Sequence, residues 1–414
     1  MAKSKIYAGL EIGTSTICVV VGEVLGNGSI KILGVGQAPS RGVRKGEIVD
    51  FETAQTCLND ALVEAEEKSD VEISSVYLAV SGSHIESLCN KGSIRIPEVE
   101  GINEINEEDL DEVREIARDI KLPPENVFLH SIIRDYYVDG QEKVQNPVGR
   151  QGEVVEADYH IIHGIKTRLQ NTIRCVREIP INVEEVVFSP IAAAQVMLKR
   201  EHKDRGSLLI DIGGGVTDYV MYTGGSVAQS GCIGVGGDHI TNDISVVMII
   251  PLTRSEKLKI EHGGALVEDD GGDSIFLEDS PLTSGLEIDK ELLNQIINAR
   301  ATEIFEQLRD RIIKHDDLDT LGAGVFLTGG GSKLKGIDKL AEGILGLPVS
   351  LARISSMSGA SAPFENPQLA TSMGLIRYAQ MIDSDRSDSD NMMTKIGKKL
   401  GGIFRGDSVD QVNN

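Results

Sequence analysis

Two similar stretches that begin about 200 residues apart constrain the fold of this chain most strongly. The stretches "IYAGLEIGTSTICVVVGEV" (6–24) and "SLLIDIGGGVTDYVMYTG" (207–224) share one design. Each has an apolar strand, an acidic residue followed by Ile-Gly, a tight turn rich in Gly or Thr, and a second apolar strand. This pattern predicts two β-hairpins of the same kind. We therefore expect a chain of 414 residues built from two related halves.

The glycines of these turns predict a phosphate-binding site. Glycine within a strand pattern costs backbone entropy and adds no side-chain packing, so a functional gain should offset it. Without Cβ atoms, backbone N–H groups can surround an oxyanion. Two facing hairpins would then hold a polyphosphate from both sides, with Asp211 binding a hydrated Mg²⁺. A third glycine run, "VFLTGGGSKLKG" (325–336), would let a strand end lie flat against a nucleobase.

Other classes of site fit the sequence less well. The chain has no GxxxxGK[ST] motif, and "GVGGDH" (234–239) lacks the last glycine of the dinucleotide fingerprint. A net charge of −23 argues against a nucleic-acid partner. The five cysteines are scattered without a CxxC pair, which indicates reduced thiols. His160 and His163 lie three apart in a strand-like run and would point to opposite faces, which argues against a metal site.

Two segments depart from the repeated design and predict inserted subdomains. Residues 84–163 contain an acidic stretch with helical spacing of apolar residues, followed by the strand pattern "VEADYHIIHGI". Residues 240–300 contain the loop "EDDGGDS" and the start of a long helix pattern. We assign the rest of the chain up to residue 382 to a first half (1–83, 164–204 and 371–382) and a second half (205–239 and 301–370).

The C-terminal region predicts a membrane anchor. Residues 383–390, "DSDRSDSD", have no apolar side chain and predict a disordered linker. The following "NMMTKIGKKLGGIFR" (391–405) predicts a basic amphipathic helix. Such a helix is about 22 Å long, shorter than a hydrocarbon core of about 30 Å, so we expect it to lie in the interface. The residues expected to contact anionic lipid are Met393, Ile396, Lys398, Lys399, Leu400, Ile403, Phe404 and Arg405.

Three motifs make a family resemblance specific. "EIGTST", "DIGGGVTD" and "LTGGGSKLKG" resemble the phosphate-1, phosphate-2 and adenosine motifs of the actin/sugar-kinase/chaperone ATPase superfamily. Within it the chain resembles the FtsA family of bacterial division proteins along nearly its whole length, including "SRGVRKGEIVD", "NPVGRQG", "EKLKIEHGGA" and the tail. The insert at 84–163 sits where that family has its 1C subdomain. The resemblance implies an α/β, actin-like (ribonuclease H-like) duplicated fold.

The resemblance also implies a ligand and partners. It implies an ATP-binding protein that polymerises, binds the C-terminal peptide of FtsZ and other division proteins, and ties FtsZ to the cytoplasmic face of the inner membrane at the division site. Glu256 and Lys259 would contact the ribose and adenine, although an exposed ion pair would also explain them. Arg300 and Glu303 are candidates for the FtsZ contact, or ordinary exposed helix charges. The residues implied at the nucleotide phosphates and base are Gly13, Thr14, Ser15, Gly213, Gly214, Gly215, Gly329, Gly330 and Gly331.

Two departures from the superfamily pattern bear on catalysis. Hydrolytic members commonly carry an acid in "E-P-x-A-A", where this chain has Ser189 in "FSPIAAA". Glu11 replaces the more usual Asp of the first motif. We therefore assign no catalytic residue and expect slow hydrolysis at most, since serine is a poor general base at neutral pH. A sugar or carboxylate kinase, and a chaperone-type ATPase or pilus-assembly scaffold, remain alternatives.

Overall fold

The computed structural model describes residues 5–390 except 100, 141–142, 145, 268–273, 278–285, 314–319, 355–356 and 359–365. The predicted membrane-binding segment, 391–405, lies outside the described residues. The first strands and helices are β1 (Lys5–Ile12), β2 (Thr16–Val24), β3 (Ile30–Pro39), β4 (Val43–Arg44), β5 (Glu47–Ile48), α1 (Phe51–Ser69), β6 (Ser75–Val80), β7 (Ile85–Arg95), α2 (Glu107–Arg118), β8 (Asn126–Val138), β9 (Val154–Ile165), α3 (Lys166–Arg177) and β10 (Asn182–Phe188).

The chain continues with α4 (Ser189–Met197), α5 (Arg200–Arg205), β11 (Ser207–Ile212), β12 (Thr217–Thr223), β13 (Ser226–Ile233), α6 (Gly237–Met248), α7 (Leu252–His262), β14 (Ser274–Leu277), β15 (Leu286–Asp289), α8 (Lys290–Ile313), β16 (Val325–Thr328), α9 (Ile337–Leu345), β17 (Val349–Leu351), β18 (Met357–Ser358) and α10 (Ala370–Asp390). Short 3₁₀ helices cover Gly330–Lys333 and Pro367–Leu369. Among the described residues, no helix is both long and apolar enough to cross a membrane.

Two sheets carry the two predicted hairpins. The first sheet has the order β10-β6-β1-β2-β3-β18, and the second has the order β13-β12-β11-β16-β17. In each sheet the repeated hairpin is antiparallel, and its first strand also pairs in parallel with a later strand, β6 or β16. Strands β2 and β12 are buried along most of their length, and each contains a run of consecutive apolar residues, 17–21 in β2 and 219–222 in β12. The predicted duplicated α/β fold is confirmed.

Each insert has a small hydrophobic core of its own. In residues 84–163, β7, β9 and β8 form a three-stranded antiparallel sheet that packs against α2. Val113 and Ala117 of α2 and Tyr159 of β9 are buried there. In the second insert, α6, α7 and α8 pack around Ile244 and Leu293 beside the two-stranded sheet β14-β15.

Three details differ from the expected boundaries. Helix α8 runs through the expected boundary at residue 300, so one helix serves both the insert and the second half. Strand β18 pairs with β3 in the first sheet although residues 301–370 are expected in the second half, because β3 would otherwise be an edge strand with unpaired backbone groups. Residues 383–390 continue α10 and do not form the predicted disordered linker. Extending a helix that packing has already nucleated adds one hydrogen bond per residue at little extra cost.

A glycine contact between α10 and α4 tests this packing. A Cβ atom at Gly374 would lie 2.0 Å from the carbonyl oxygen of Ala192 on α4, whereas one at Gly343 on α9 would have no neighbour within 4 Å. We expect Gly374→Ala to lower the free energy of unfolding by about 1–3 kcal/mol through overpacking. The matched Gly343→Ala should raise it by up to about 1 kcal/mol, because Ala favours helix. Denaturant unfolding measures both, and equal stability of the two variants would contradict the packing.

Candidate nucleotide-binding cleft

The two predicted turns face each other across a cleft. A Cβ atom built on Gly214 would lie 2.0 Å from Ser15 Oγ, and one on Gly215 would lie 2.6 Å from Thr14 Oγ1. Both turns line a cavity of about 740 Å³. This volume lies within the range of about 300–1,000 Å³ that is typical of small-molecule sites.

The turns have the same hydrogen-bonded geometry. The Gly13 N–H donates to the Thr16 carbonyl at 3.1 Å, and the Gly213 N–H donates to the Val216 carbonyl at 3.0 Å. The strand pairing on either side is also equivalent, because Ile12 pairs with Ile17 as Ile212 pairs with Thr217. The resemblance seen in the sequence is therefore a resemblance of backbone structure.

Backbone amides of both turns are left open to the cleft. Within the described residues, the N–H groups of Thr14, Ser15, Gly214 and Gly215 donate to no protein acceptor. The carbonyls of the second turn, in contrast, are bonded: Gly213 O accepts from the Gly237 N–H at 2.9 Å, and Gly214 O accepts from the next amide of α6 at 2.8 Å. With its carbonyls held by α6, the second turn presents amide donors to the cleft, as an anion-binding nest requires.

Three carboxylates lie in the cleft without a cationic partner among the described residues. Burial, with Asp211 and Asp218 nearby, raises the pKa of Glu11 to about 8. Burial also raises the pKa of Asp218 to about 7 and that of Asp211 to about 6. Asp218 accepts a hydrogen bond from Ser81 Oγ at 2.7 Å, and Asp211 accepts a long one of 3.4 Å from Thr371 Oγ1.

This carboxylate group fits a hydrated divalent cation better than a directly ligated one. Glu11 and Asp211 are half-buried and line the cavity, so their charge reaches it. No cluster of three or more His, Cys, Asp or Glu side chains with metal-binding geometry occurs in the described part of the chain. Mg²⁺ usually keeps several waters and takes one or two carboxylates together with phosphate oxygens. Asp211, predicted from the sequence to bind such an ion through water, lies near the end of β11 at the cavity.

Glu256 and Lys259 are the residues predicted to contact the ribose and adenine. Both lie on α7 and line the cleft. Lys259 Nζ lies 2.6 Å from Glu256 Oε2, and it also donates to Thr241 Oγ1 at 2.8 Å and to Gly237 O at 3.0 Å. The pair is therefore an ion pair, but only 13% of the Lys259 side chain is exposed. It ties α7 to the start of α6 at the wall of the cleft.

The third glycine run packs closely on β11. Gly329 has a φ of +80°, and a Cβ atom there would lie 2.2 Å from Asp211 Oδ1. A Cβ atom at Gly331 would lie 2.3 Å from Ile212 Cγ2. All three glycines, Gly330 included, line the cleft. Glycine is thus needed at positions 329 and 331 to bring the end of β16 against Asp211 and its neighbour Ile212 in the second hairpin.

Sequence reasoning missed several cleft residues. Asp218 closes the "DIGGGVTD" motif and pairs with Asp211 across the hairpin, a position that follows from the register. Asp238 accepts a hydrogen bond of 3.4 Å from Ser15 Oγ across the cleft. Gly46, at the tip of the β4–β5 hairpin, donates its N–H to Thr14 Oγ1 at 3.1 Å. Asp238 lies in the motif "GVGGDH" and Gly46 lies in "SRGVRKGEIVD", and these two motifs are the sequence features from which both residues could have been predicted.

Ser189, where the superfamily resemblance implies an acid in hydrolytic members, also lies in the cleft. Ser189 is the first residue of α4, is 4% exposed and lines the cavity. Its Oγ donates to the Val80 carbonyl at 3.0 Å. The only proton of this hydroxyl is therefore used within the protein.

The candidate partner residues lie outside the cleft lining. Arg300 of α8 donates from Nε to Asp243 Oδ2 at 2.6 Å and from Nη2 to Asp243 Oδ1 at 3.1 Å. Arg300 also forms an ion pair with Glu303. The three charges join α8 to α6, so they are more constrained than ordinary exposed helix charges.

The carboxylates predict a specific pH dependence of stability. The folded chain holds the Glu11 proton up to about pH 8, whereas an ordinary glutamate loses it near 4.5. As pH rises through this window the unfolded chain deprotonates first, so the folded state loses stability. Glu11→Gln removes this titration. The free energy of unfolding of the variant, relative to that of the parent chain, should therefore rise from about pH 4.5 to 8 and then level off. Unfolding of nucleotide-free protein at a series of pH values measures it.

A matched variant controls for the loss of one negative charge. Glu72 is exposed, and Glu72→Gln removes one carboxylate outside the cleft, so it is the control for the effect of charge alone. A Glu11→Gln difference that stays flat across the same pH window would contradict a buried, protonated Glu11.

Comparison with known protein families agrees with this architecture. Residues 208–374 match the family model described as "Cell division protein FtsA". Residues 82–163 match a second model, described as "SHS2 domain inserted in FTSA". The second match spans nearly the same residues as the insert that forms its own three-stranded sheet.

Curated relatives and solved structures extend the comparison. The chain is 32% identical to the "Cell division protein FtsA" of Pseudomonas aeruginosa, over 92% of this chain and 91% of that protein. It is 33% identical to the protein of that name from Borreliella burgdorferi, over 96% and 98%. It is 32% identical to that of Escherichia coli K12, over 91% and 90%.

Among solved structures, the fold resembles the "PilM-PilN type IV pilus biogenesis complex" (TM-score 0.63, 17% identity, 90% of this chain and 98% of that chain). It also resembles MreB5 of Spiroplasma citri bound to ADP (TM-score 0.52, 16% identity, 92% and 98%). At these identities the structural likeness concerns the fold alone. Together, the family models, the relatives matched over nearly their whole length and the solved structures show that the chain belongs to the FtsA family of bacterial cell-division proteins and has an actin-like fold.

Proposed function

We propose that this chain binds ATP between its two halves, polymerises, and anchors FtsZ filaments to the cytoplasmic face of the inner membrane through residues 391–405. The observation that carries the nucleotide part is the pair of facing turns, whose four open amides come from both halves of the chain. Two MreB5 structures with the same fold are described as bound to ADP and to AMPPNP.

The phosphates would lie between the turns. Thr14 and Ser15 would offer amides and hydroxyls from the first half, and Gly214 and Gly215 would offer amides from the second. A magnesium ion carried by the nucleotide would lower the repulsion between the phosphates and the cleft carboxylates, with Asp211 holding it through water. Lys259 and Glu256 would face the nucleoside.

The nucleotide would act as a clamp or slow switch between the halves. Phosphoryl transfer to water depends on positioning the attacking water and stabilising charge. Ser189 stands where hydrolytic superfamily members place a carboxylate, and its proton is already donated to Val80. Binding should therefore persist while turnover stays slow.

A glycine substitution in the second turn tests the clamp. A Cβ atom at Gly215 would lie 2.6 Å from Thr14 Oγ1 and 2.9 Å from the Lys45 backbone nitrogen, so Gly215→Ala should push the halves apart. We expect the affinity for Mg-ATP to fall on the order of tenfold or more, which is about 1.4 kcal/mol. Gly343→Ala, with no neighbour within 4 Å, is the control and should bind like the parent chain.

Calorimetric titration of Mg-ATP gives these affinities. Unchanged binding by Gly215→Ala would contradict a site that bridges the turns. Phosphate release by the parent chain on the order of 1 s⁻¹ or faster would contradict the slow switch.

The membrane part of the proposal rests on the sequence of the C-terminal segment. Residues 391–405 contain four basic side chains and no acidic ones, in a chain of net charge −23. Helix α10 packs on the first half and runs to Asp390, so this segment starts directly at the end of a helix fixed to the body. Each tail would bind weakly because its three glycines disfavour helix, and polymerisation would add avidity.

FtsZ and other division proteins are the proposed partners. The second insert, with the Arg300–Asp243–Glu303 cluster, is the proposed surface for the FtsZ C-terminal peptide. Self-association and recruitment of later division proteins at the division site follow from the family, and no nucleic-acid partner is proposed.

Sedimentation with anionic vesicles tests the anchor. The variant Lys398→Glu, Phe404→Glu reverses a charge and disrupts the apolar face of the proposed helix, so it should remain in the supernatant and leave FtsZ there. Lys121→Glu likewise reverses one positive charge, at an exposed position of the first insert, and should sediment like the parent chain. Equal sedimentation of the tail variant would refute the anchor, whereas retained FtsZ binding in solution would show that the variant is folded.

A further inference from the structure

A basic cavity lies outside the nucleotide cleft. It has a volume of about 780 Å³ and is formed by the end of α4, helix α5, the β12–β13 turn and helix α10. Its lining contains four cationic side chains, Lys199, Arg200, Lys203 and Arg377, and a single acidic one, Asp204. This local excess of positive charge is opposite in sign to the net charge of the chain, which is −23.

The two inner cations are held in place without a counter-ion. Lys203 Nζ lies 3.2 Å from Gln195 Oε1 and 4.9 Å from the centre of the Tyr222 ring. Arg377 donates to the Gly28 carbonyl at 3.3 Å and to Gln380 Oε1 at 2.6 Å. In the described part of the chain, neither makes an ion pair. Burial and the nearby Arg377 lower the pKa of Lys203 to about 8, as expected for a cation that lacks a neighbouring anion.

The two outer cations are exposed at the rim. The Lys199 and Arg200 side chains are 60% and 89% exposed, and their acidic neighbours Glu201 and Asp204 lie 4.0 and 3.9 Å away. Ion pairs of this length at a surface contribute little, so both side chains can turn to a bound anion. The cavity thus combines two fixed cations inside with two adjustable ones at its mouth.

Helix α10 connects this cavity to the proposed anchor. Arg377 and Met381 of α10 line the cavity, and the helix ends at Asp390, where the segment 391–405 begins. Asp390 follows Met381 by nine residue steps of helix, a rise of about 14 Å at 1.5 Å per residue. A chain anchored through that segment therefore holds the cavity near the lipid headgroups.

We propose that this cavity binds the phosphodiester headgroup of an anionic phospholipid, as a second membrane contact that rests on the proposed anchoring. With the tail alone, the body would be free to rotate about α10. A second contact on the same helix would fix which face of the body lies on the membrane, a requirement for a filament whose subunits all anchor. Free phosphate shares the headgroup chemistry, so the test separates the two sources.

The test uses the full-length chain with two probes. Vesicles of phosphatidylglycerol and phosphatidylcholine report on membrane affinity, and soluble dihexanoylphosphatidylglycerol reports on the cavity without a bilayer. Lys199→Gln, Arg200→Gln removes the two rim charges at exposed positions, where folding is not at risk. Lys203→Met keeps the length of the inner side chain but removes its charge. Arg118→Gln, Lys121→Gln removes two charges from the first insert as a control.

The proposal expects roughly 30-fold weaker vesicle binding by the rim variant and less than about twofold change in the control. It also expects saturable 1:1 binding of the soluble lipid to the parent chain and to the Lys398→Glu, Phe404→Glu tail variant, and none to Lys203→Met. If Lys203→Met does not fold, the rim variant alone decides.

Other outcomes separate this proposal from the anchor. If the tail variant loses vesicle binding while the rim variant binds like the control, the anchor stands and the headgroup site is overturned. If inorganic phosphate binds as tightly as the soluble lipid, the site takes free phosphate and the lipid assignment is overturned. If an acidic peptide binds the cavity and the soluble lipid does not, the site is a protein contact and the proposal is likewise overturned.

Discussion

Three carboxylates held in one cleft without a cationic partner among the described residues control what this fold can do. Glu11 and Asp211 occupy equivalent places in the two hairpins, and Asp218 pairs with Asp211. Removing a carboxylate from water without a partner costs several kcal/mol, so burial raises the pKa of each. The cleft is therefore most stable when protons or a cation reduce this charge. A nucleotide that brings Mg²⁺ would do so and would join the two halves at the same place.

Glycine determines how closely the halves approach. Side chains at Gly214 and Gly215 would collide with Ser15 and Thr14 of the opposite turn. Behind the turns the core is continuous, because Leu209 of the second half is buried in the same apolar cluster as the first sheet. The base of the cleft is thus fixed by packing, whereas its mouth is lined by amides and carboxylates that a ligand must satisfy. This division suits a clamp more than a hinge that opens fully.

Local signals made part of this structure predictable. Alternation, glycine turns and an internal repeat identified both hairpins and the duplicated fold. Long-range features carried no such signal: the place of Asp218 depends on strand register, and the ion pair of Arg300 with Asp243 depends on helix packing. The polar composition of residues 383–390 also led to a wrong prediction of disorder, because a helix that already packs on the body continues through this stretch.

In the proposed function, one nucleotide contacts both turns at once. Hydrogen–deuterium exchange of the full chain, with and without saturating Mg-ATP, tests it most directly at residues 13–16 and 213–216. These stretches contain the amides of Thr14, Ser15, Gly214 and Gly215, which have no protein acceptor in the described structure. Bound Mg-ATP should slow exchange in both stretches together. Protection of only one turn, or of neither at saturation, would contradict a site built from the two halves.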